Sequence, residues 1–162
     1  MDRHFLQQNG FSGFVTVEQL KKRIDDVPAE QGVYVVLYPE ETEPDFIQKG
    51  TGGFFKGEDP NVTISKLRNN WVNGADIVYI GKAGGKKVKT TLRKRLSQYM
   101  QFGSGKPVGH WGGRYIWQLA NADNLVVCWK VLNTDPRDCE RQMIMDFKAA
   151  NAGKRPFANL MD

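Results

Sequence analysis

The chain has 162 residues, 40% of them hydrophobic and 11% aromatic, which excludes a disordered polypeptide and suits one domain with a buried core. Its 23 Lys and Arg outnumber 18 Asp and Glu, a net charge of +5. The excess is uneven: acids gather at Glu40, Glu41, Glu43 and Asp45, bases between residues 86 and 95, so the expected partner of the basic stretch is a polyanion. The first residues lack an apolar signal-type segment, and the longest apolar run, Val33 to Tyr38, is too short to span a bilayer; the expectation is a cytoplasmic protein with no membrane partner. Two cysteines, Cys128 and Cys139, make neither a disulfide framework nor a metal cluster and read as buried thiols.

Residues 1 to 15 carry no firm signal and read as an arm. Thr16 with Gln19 three residues on forms a capping box, and Val17, Leu20 and Ile24 keep helical spacing, so a short N-terminal helix starts there. Asp25, Asp26 and Pro28 end it. Gly32 to Tyr38 is the strongest strand pattern in the chain, stopped by Pro39. Residues 39 to 75 are a long interlude with a glycine-rich piece at 50 to 57 and a helical pattern near Val62 to Val72.

The next stretch organises the chain. Ile77 to Ile80 is a β-rich run ending at Gly81 and Lys82; a basic loop follows, then a helix with Leu92 and Leu96 four apart. Lys86, Lys87, Lys89, Arg93, Lys94 and Arg95 place cations at the mouth of a strand end, where phosphate is attracted. Residues 101 to 113 are a glycine-rich loop ending near His110 and Trp111; residues 114 to 119 fit either a strand or a turn and a half of helix. Leu125 to Leu132 reads as a buried strand, with Trp129 in the core alongside Trp117. Thr134, Asp135 and Pro136 then open a helix with an apolar stripe at Cys139, Met143 and Phe147 and Glu140 at its edge. Gly153 and Pro156 close that helix, and no repeat or linker marks a domain boundary within 1 to 162.

Gly32-Val33-Tyr34 and Tyr79-Ile80-Gly81 on two strands, then Arg95 on a helix, Glu140 on a later helix and Asn159 near the end, resemble the GIY-YIG nuclease family. The stretches Val27 to Tyr34, Tyr79 to Ala83 and Lys94 to Tyr99 are most similar to the nuclease domain of the UvrC-type excision-repair subunit. The resemblance implies an α+β fold, a small three-stranded and mainly antiparallel sheet flanked by helices, that hydrolyses nucleic-acid phosphodiesters with one divalent metal, Mg2+ or Mn2+. Residues 39 to 75 would then be an insertion between the two motif strands.

It also implies roles. Tyr79 would be the general base or the group that positions the attacking water, Tyr34 its partner, Lys82 the residue that tunes it, Arg95 the cation on the scissile phosphate, and Glu140 the metal ligand. Asn159 would brace the site. Some restriction enzymes of the family place a histidine near the site after the first helix, which makes His110 a candidate. Tyr99, Lys86, Lys87, Arg93, Arg114, His110 and Asn159 complete the set of candidate substrate contacts, with DNA favoured over RNA and the oligomeric state left open.

The chemistry is sound without the resemblance. A phenol ordinarily ionises near pH 10, so a tyrosine base at neutral pH needs its anion favoured by roughly 4 kcal/mol. One cation about 4 Å away at an effective dielectric near 20 supplies about that; the expectation is that a turn at Gly81 brings the Lys82 ammonium to Tyr79. Arg95 and Tyr99, four apart, share one helix face. A lone carboxylate such as Glu140 holds magnesium weakly, with water and substrate oxygens filling the remaining positions. The alternative is a nucleic-acid-binding module that keeps the scaffold without cutting. A nucleotide-binding enzyme is disfavoured because residues 81 to 85 make neither a P-loop nor a dinucleotide fingerprint.

Overall fold

The structure, a computed structural model, describes residues 1 to 161. Its elements are α1 (Arg3–Gln8), β1 (Ser12–Thr16), α2 (Val17–Lys22), β2 (Gly32–Leu37), α3 (Ile64–Asn70), β3 (Ile77–Ala83), α4 (Leu92–Gly103), β4 (Val126–Val131) and α5 (Pro136–Ala150). Single 3-10 turns lie at Ile24–Asp26, Arg114–Gln118 and Ala122–Asn124.

The class is α+β, but the sheet has four strands rather than three, in the order β1-β4-β2-β3, and every neighbouring pair is antiparallel. The fourth strand comes from the segment read as an arm. β1 pairs with β4 through a bulge between Gly13 and Val15, where Phe14 has φ 55°. That irregularity breaks the alternation that marks a strand in sequence. Residues 114 to 118, open between strand and helix, are a 3-10 turn.

Local chemistry explains the helix starts. The Gln19 amide donates to the Thr16 hydroxyl and the Thr16 amide to the Gln19 side chain, the full capping box. Asp135 accepts from the Arg137 amide ahead of Pro136 in the first turn of α5.

β2 is the middle of the molecule, buried at all six positions. Tyr34 and Val36 face α4 and the 3-10 turns, with Tyr79, Val127 and Trp129 on the same side. Val33, Val35 and Leu37 face the other layer, with Ile80, Cys128 and the α5 residues Met143, Ile144 and Phe147. Cys128 is buried as expected, whereas Cys139 is half-buried.

β3 is an edge strand, and the C-terminal tail covers it. Asn159 accepts from the Ile80 amide at 2.9 Å and donates to the Ile80 carbonyl at 2.8 Å, so one side-chain amide replaces a neighbouring strand. The insertion joins the main core: buried Gln118 donates to the carbonyls of Ile47, Gln48 and Val62, and Phe46 packs on Trp71 and Phe157. Among the described residues no helix is long and apolar enough to cross a membrane.

Candidate active site

The register of β2 and β3 decides which side chains meet. Tyr34 pairs with Gly81 and Val35 with Ile80, but Val36 pairs with Tyr79 and Leu37 with Ile77, so Val78 is an extra residue bulged out of the ladder. The bulge lies beyond Tyr79: from Tyr79 to Ala83 the register is unbroken, and plain alternation puts Tyr79, opposite Val36, on the face that carries Tyr34. Both tyrosines enter one aromatic cluster with ring centroids 6.0 Å apart.

The third member is Tyr99 from α4 and the fourth is His110. The imidazole lies flat on Tyr99, with centroids 3.7 Å apart and planes 2° off parallel, and its Nε2 is 2.9 Å from the Tyr34 hydroxyl. His110 is fully buried. The loop that carries it is tied to α4 twice: Arg95 donates to the Gly109 carbonyl at 2.8 Å and Tyr99 to the Gly113 carbonyl at 2.7 Å.

At the edge of β3 this cluster opens into a cleft of about 540 Å³ lined by Tyr34, Tyr79, Lys82, Arg95 and Glu140, together with Thr90, Lys94, Gln98 and the loop residues Gly84, Val88 and Lys89. Arg95 reaches it from α4 on one face of the sheet and Glu140 from α5 on the other. A second cleft of about 280 Å³ shares Lys82, Gly84 and Val88 and adds Lys86, Lys87 and Arg137. A larger cleft, about 680 Å³, opens at the far end of β2, but Glu40, Glu41, Glu43 and Asp76 line it, which repels phosphate.

Burial sets the electrostatics. It pushes the Tyr79 phenol up to about 12; Arg95 and the Tyr34 hydroxyl pull the other way and Glu140 adds to the rise. Tyr34 and Tyr99 are raised well above the ordinary tyrosine value, first by burial and then by neighbouring phenols. Burial, with Arg95 helping, holds His110 well below the usual imidazole value and so uncharged. Glu140 is raised by burial and pulled back by Lys82, Arg95 and Arg137.

Lys82 therefore acts on Glu140, contrary to the expectation that it swings to Tyr79. The strand does not end at Gly81 but runs to Ala83, and Lys82 pairs with Val33 on the α5 face. The cation beside Tyr79 is Arg95.

Other candidates lie elsewhere. Tyr99 does not face substrate: it is fully buried and its hydroxyl is spent on Gly113. Arg93 donates to the carbonyls of Val27 and Asp25 and ties the segment before β2 to α4. Arg114 lies over the rings of Trp111 and Tyr115, at 4.5 and 5.2 Å, away from the cleft. Asn159 braces the β3 edge. Lys86 and Lys87 are exposed on the adjoining basic loop. Sequence reasoning passed over Lys94 and Gln98 as a pair; their spacing of four on α4 is the signal that puts both in the cleft.

Among the described residues no three His, Cys, Asp or Glu side chains come together to hold a metal ion. Glu140 is the one carboxylate lining the cleft. It is half-buried and opens onto the cleft, and a lone carboxylate of this kind suits a weak anchor for magnesium completed by water and substrate oxygens. No protein-family model, no curated protein and no solved structure matches the chain.

Proposed function

We propose that the chain is a metal-dependent endonuclease of GIY-YIG type that hydrolyses DNA phosphodiester bonds. The observation that carries this reading is the convergence of Tyr34, Tyr79, Lys82, Arg95 and Glu140, from four elements, on one cleft bordered by a basic loop. Each fits a need of phosphodiester hydrolysis: a polar group for the attacking water, a guanidinium for the non-bridging oxygens, a carboxylate for a cation, and outlying lysines for flanking phosphates.

Water attacks phosphorus in line and the ester oxygen on the opposite side departs. A phenol held at about 12 is neutral at pH 7, and ionising it there costs about 7 kcal/mol. Tyr79 therefore orients the water as a neutral phenol and relays a proton: as the new bond to phosphorus forms, its oxygen takes the proton of the attacking water while its own hydroxyl proton passes to a phosphoryl oxygen. Arg95, fixed by the Gly109 carbonyl, meets the charge that accumulates on the phosphoryl oxygens. Glu140 would hold Mg2+ or Mn2+, which when bound would supply Lewis-acid neutralisation of the developing negative charge.

The second reading, a nucleic-acid-binding module without cleavage, draws on the burial of Tyr79, which keeps its phenol protonated. Incubation of supercoiled plasmid with the chain and Mg2+ or Mn2+ separates the two. Nicking that disappears with chelator, with Tyr79→Phe and with Glu140→Ala is the expected result. Retained binding without nicking, across both metals and a range of salt, leaves the binding module.

A further inference from the structure

His110 is an odd residue to find in an aromatic core. It is wholly buried, stacked face to face on Tyr99 so that the ring cannot turn freely, and bonded through Nε2 to the Tyr34 hydroxyl at 2.9 Å. Its other nitrogen, Nδ1, is buried and has no hydrogen-bond partner.

A neutral imidazole carries one N–H and one bare lone pair. A proton on Nδ1 would leave a buried donor without a hydrogen bond: the residue's own carbonyl is near enough to favour the protonated ring slightly, but its geometry makes no hydrogen bond to Nδ1. A proton on Nε2 leaves only a lone pair unmet, and orphaned N–H groups are the rarer and costlier case. The proton therefore belongs on Nε2. The Tyr34 oxygen then accepts from His110, and the Tyr34 hydroxyl hydrogen must point elsewhere. Its neighbour on the same face is Tyr79, with ring centroids 6.0 Å apart, and the two phenols line one cleft.

We infer that His110 is a positioning residue: it donates from Nε2 to Tyr34, commits the Tyr34 proton to Tyr79, and so fixes a hydrogen-bond chain that runs one way and ends on the Tyr79 oxygen. The charged and titratable groups around this chain are Arg95 and Tyr99 from α4, Lys82 from β3 and Glu140 from α5. The opposite tautomer would make His110 the acceptor of the Tyr34 proton and Tyr34 the more basic phenol. The catalytic consequence rests on the nuclease reading; the direction of the chain does not.

The test uses the full chain. Only two histidines are present, so His4→Asn leaves His110 as the sole imidazole for a long-range 1H–15N spectrum. A pyrrole-type Nε2 with a pyridine-type Nδ1 is the expected result. The reverse assignment, or a doubly protonated ring at neutral pH, overturns the inference whether or not the chain cuts DNA. In plasmid cleavage, His110→Phe keeps the stack and removes the donor; a loss of tenfold or more in kcat with KM unchanged is expected, and His110→Gln, which restores an N–H, recovers part of it. Equal activity of Phe and Gln variants that both fold by circular dichroism also overturns it. If the native chain shows no cleavage, the nuclease reading fails and the nitrogen spectrum still decides the tautomer.

Discussion

Tyr34 and Gly81 face each other across β2 and β3, and the Tyr34 ring occupies the space where a side chain at Gly81 would be: a Cβ built there lies 2.6 Å from the hydroxyl oxygen and 2.8 Å from Cε2. The glycine is thus part of the tyrosine's socket. It lets the hydroxyl lie across the edge strand to His110 and the cleft at once.

Gly81→Ala must therefore displace a fully buried ring that has nowhere to go. Overpacking of this kind costs about 1–3 kcal/mol, seen as a lower midpoint in urea unfolding. Gly112→Ala is the contrast: its Cβ meets the Tyr79 hydroxyl at 3.6 Å, an ordinary contact, and the midpoint should stay close to that of the native chain. Equal midpoints for the two variants would refute the steric account.

Tyr79 and Tyr99 look alike in sequence and differ in what their hydroxyls do. Tyr99→Phe leaves the Gly113 carbonyl without its donor, a buried loss of about 1–3 kcal/mol, while the cleft keeps its polar groups. Tyr79→Phe removes no hydrogen bond to the backbone, and its phenol lines the cleft. The expected outcome is a crossed pattern: Tyr99→Phe melts lower and still nicks plasmid at low temperature, Tyr79→Phe melts near the native temperature and does not nick.

Much of this was legible where the determinants are local. The Thr16–Gln19 box, the Asp135-Pro136 start of α5, and the runs at β2, β3 and β4 each announce themselves within a few residues. The cleft's main residues also came from sequence, because the two tripeptides set a strand pair and the later residues hang on helices that pack beside it. What escaped depends on pairing between distant segments. β1 is bulged at its third residue, Phe14, and pairs only with β4. The place of Lys82 escaped for the same reason: pairing with β2 carries β3 past Gly81 to Ala83, so Lys82 stays three positions from Tyr79 on the opposite face instead of turning back to it. His110 lies 76 positions from Tyr34, and no periodicity connects them.

Arg93 and the loop lysines separate structural from surface cations. Arg93→Ala removes two side-chain donors from the Val27 and Asp25 carbonyls and should destabilise the fold by about 1–3 kcal/mol. Lys86→Ala and Lys87→Ala touch exposed side chains and should leave stability within about 0.5 kcal/mol. Each lysine that contacts a DNA phosphate contributes about one to the slope of log K against log salt, so the double variant should flatten that slope by about two. Titrating a labelled duplex at several salt concentrations reads this directly, and an unchanged slope would place the DNA elsewhere.

The aromatic cluster also fixes how the fold responds to pH. Tyr79, raised to about 12, and Tyr34 and Tyr99, also raised by burial, keep their protons in the native state at pH values where the unfolded chain has lost them. Above about pH 10 the native state therefore binds more protons than the unfolded one, and stability falls as pH rises, by about 4 kcal/mol per pH unit for three groups. His110 works from the acid side in the opposite sense: it stays neutral when folded and protonates when unfolded, so stability is full above about pH 6.5 and declines below it by about 1.4 kcal/mol per pH unit. Glu140, raised by burial, recovers part of that loss as it takes up its proton earlier than in the unfolded chain. Urea unfolding at stepped pH checks both limbs: His110→Phe should flatten the decline between pH 6.5 and 5. Absorbance at 295 nm should show the three core phenols ionising only together with loss of the near-UV circular dichroism signal. Ionisation of all three at pH 10 in a chain that keeps that signal would contradict the burial that the site is built on.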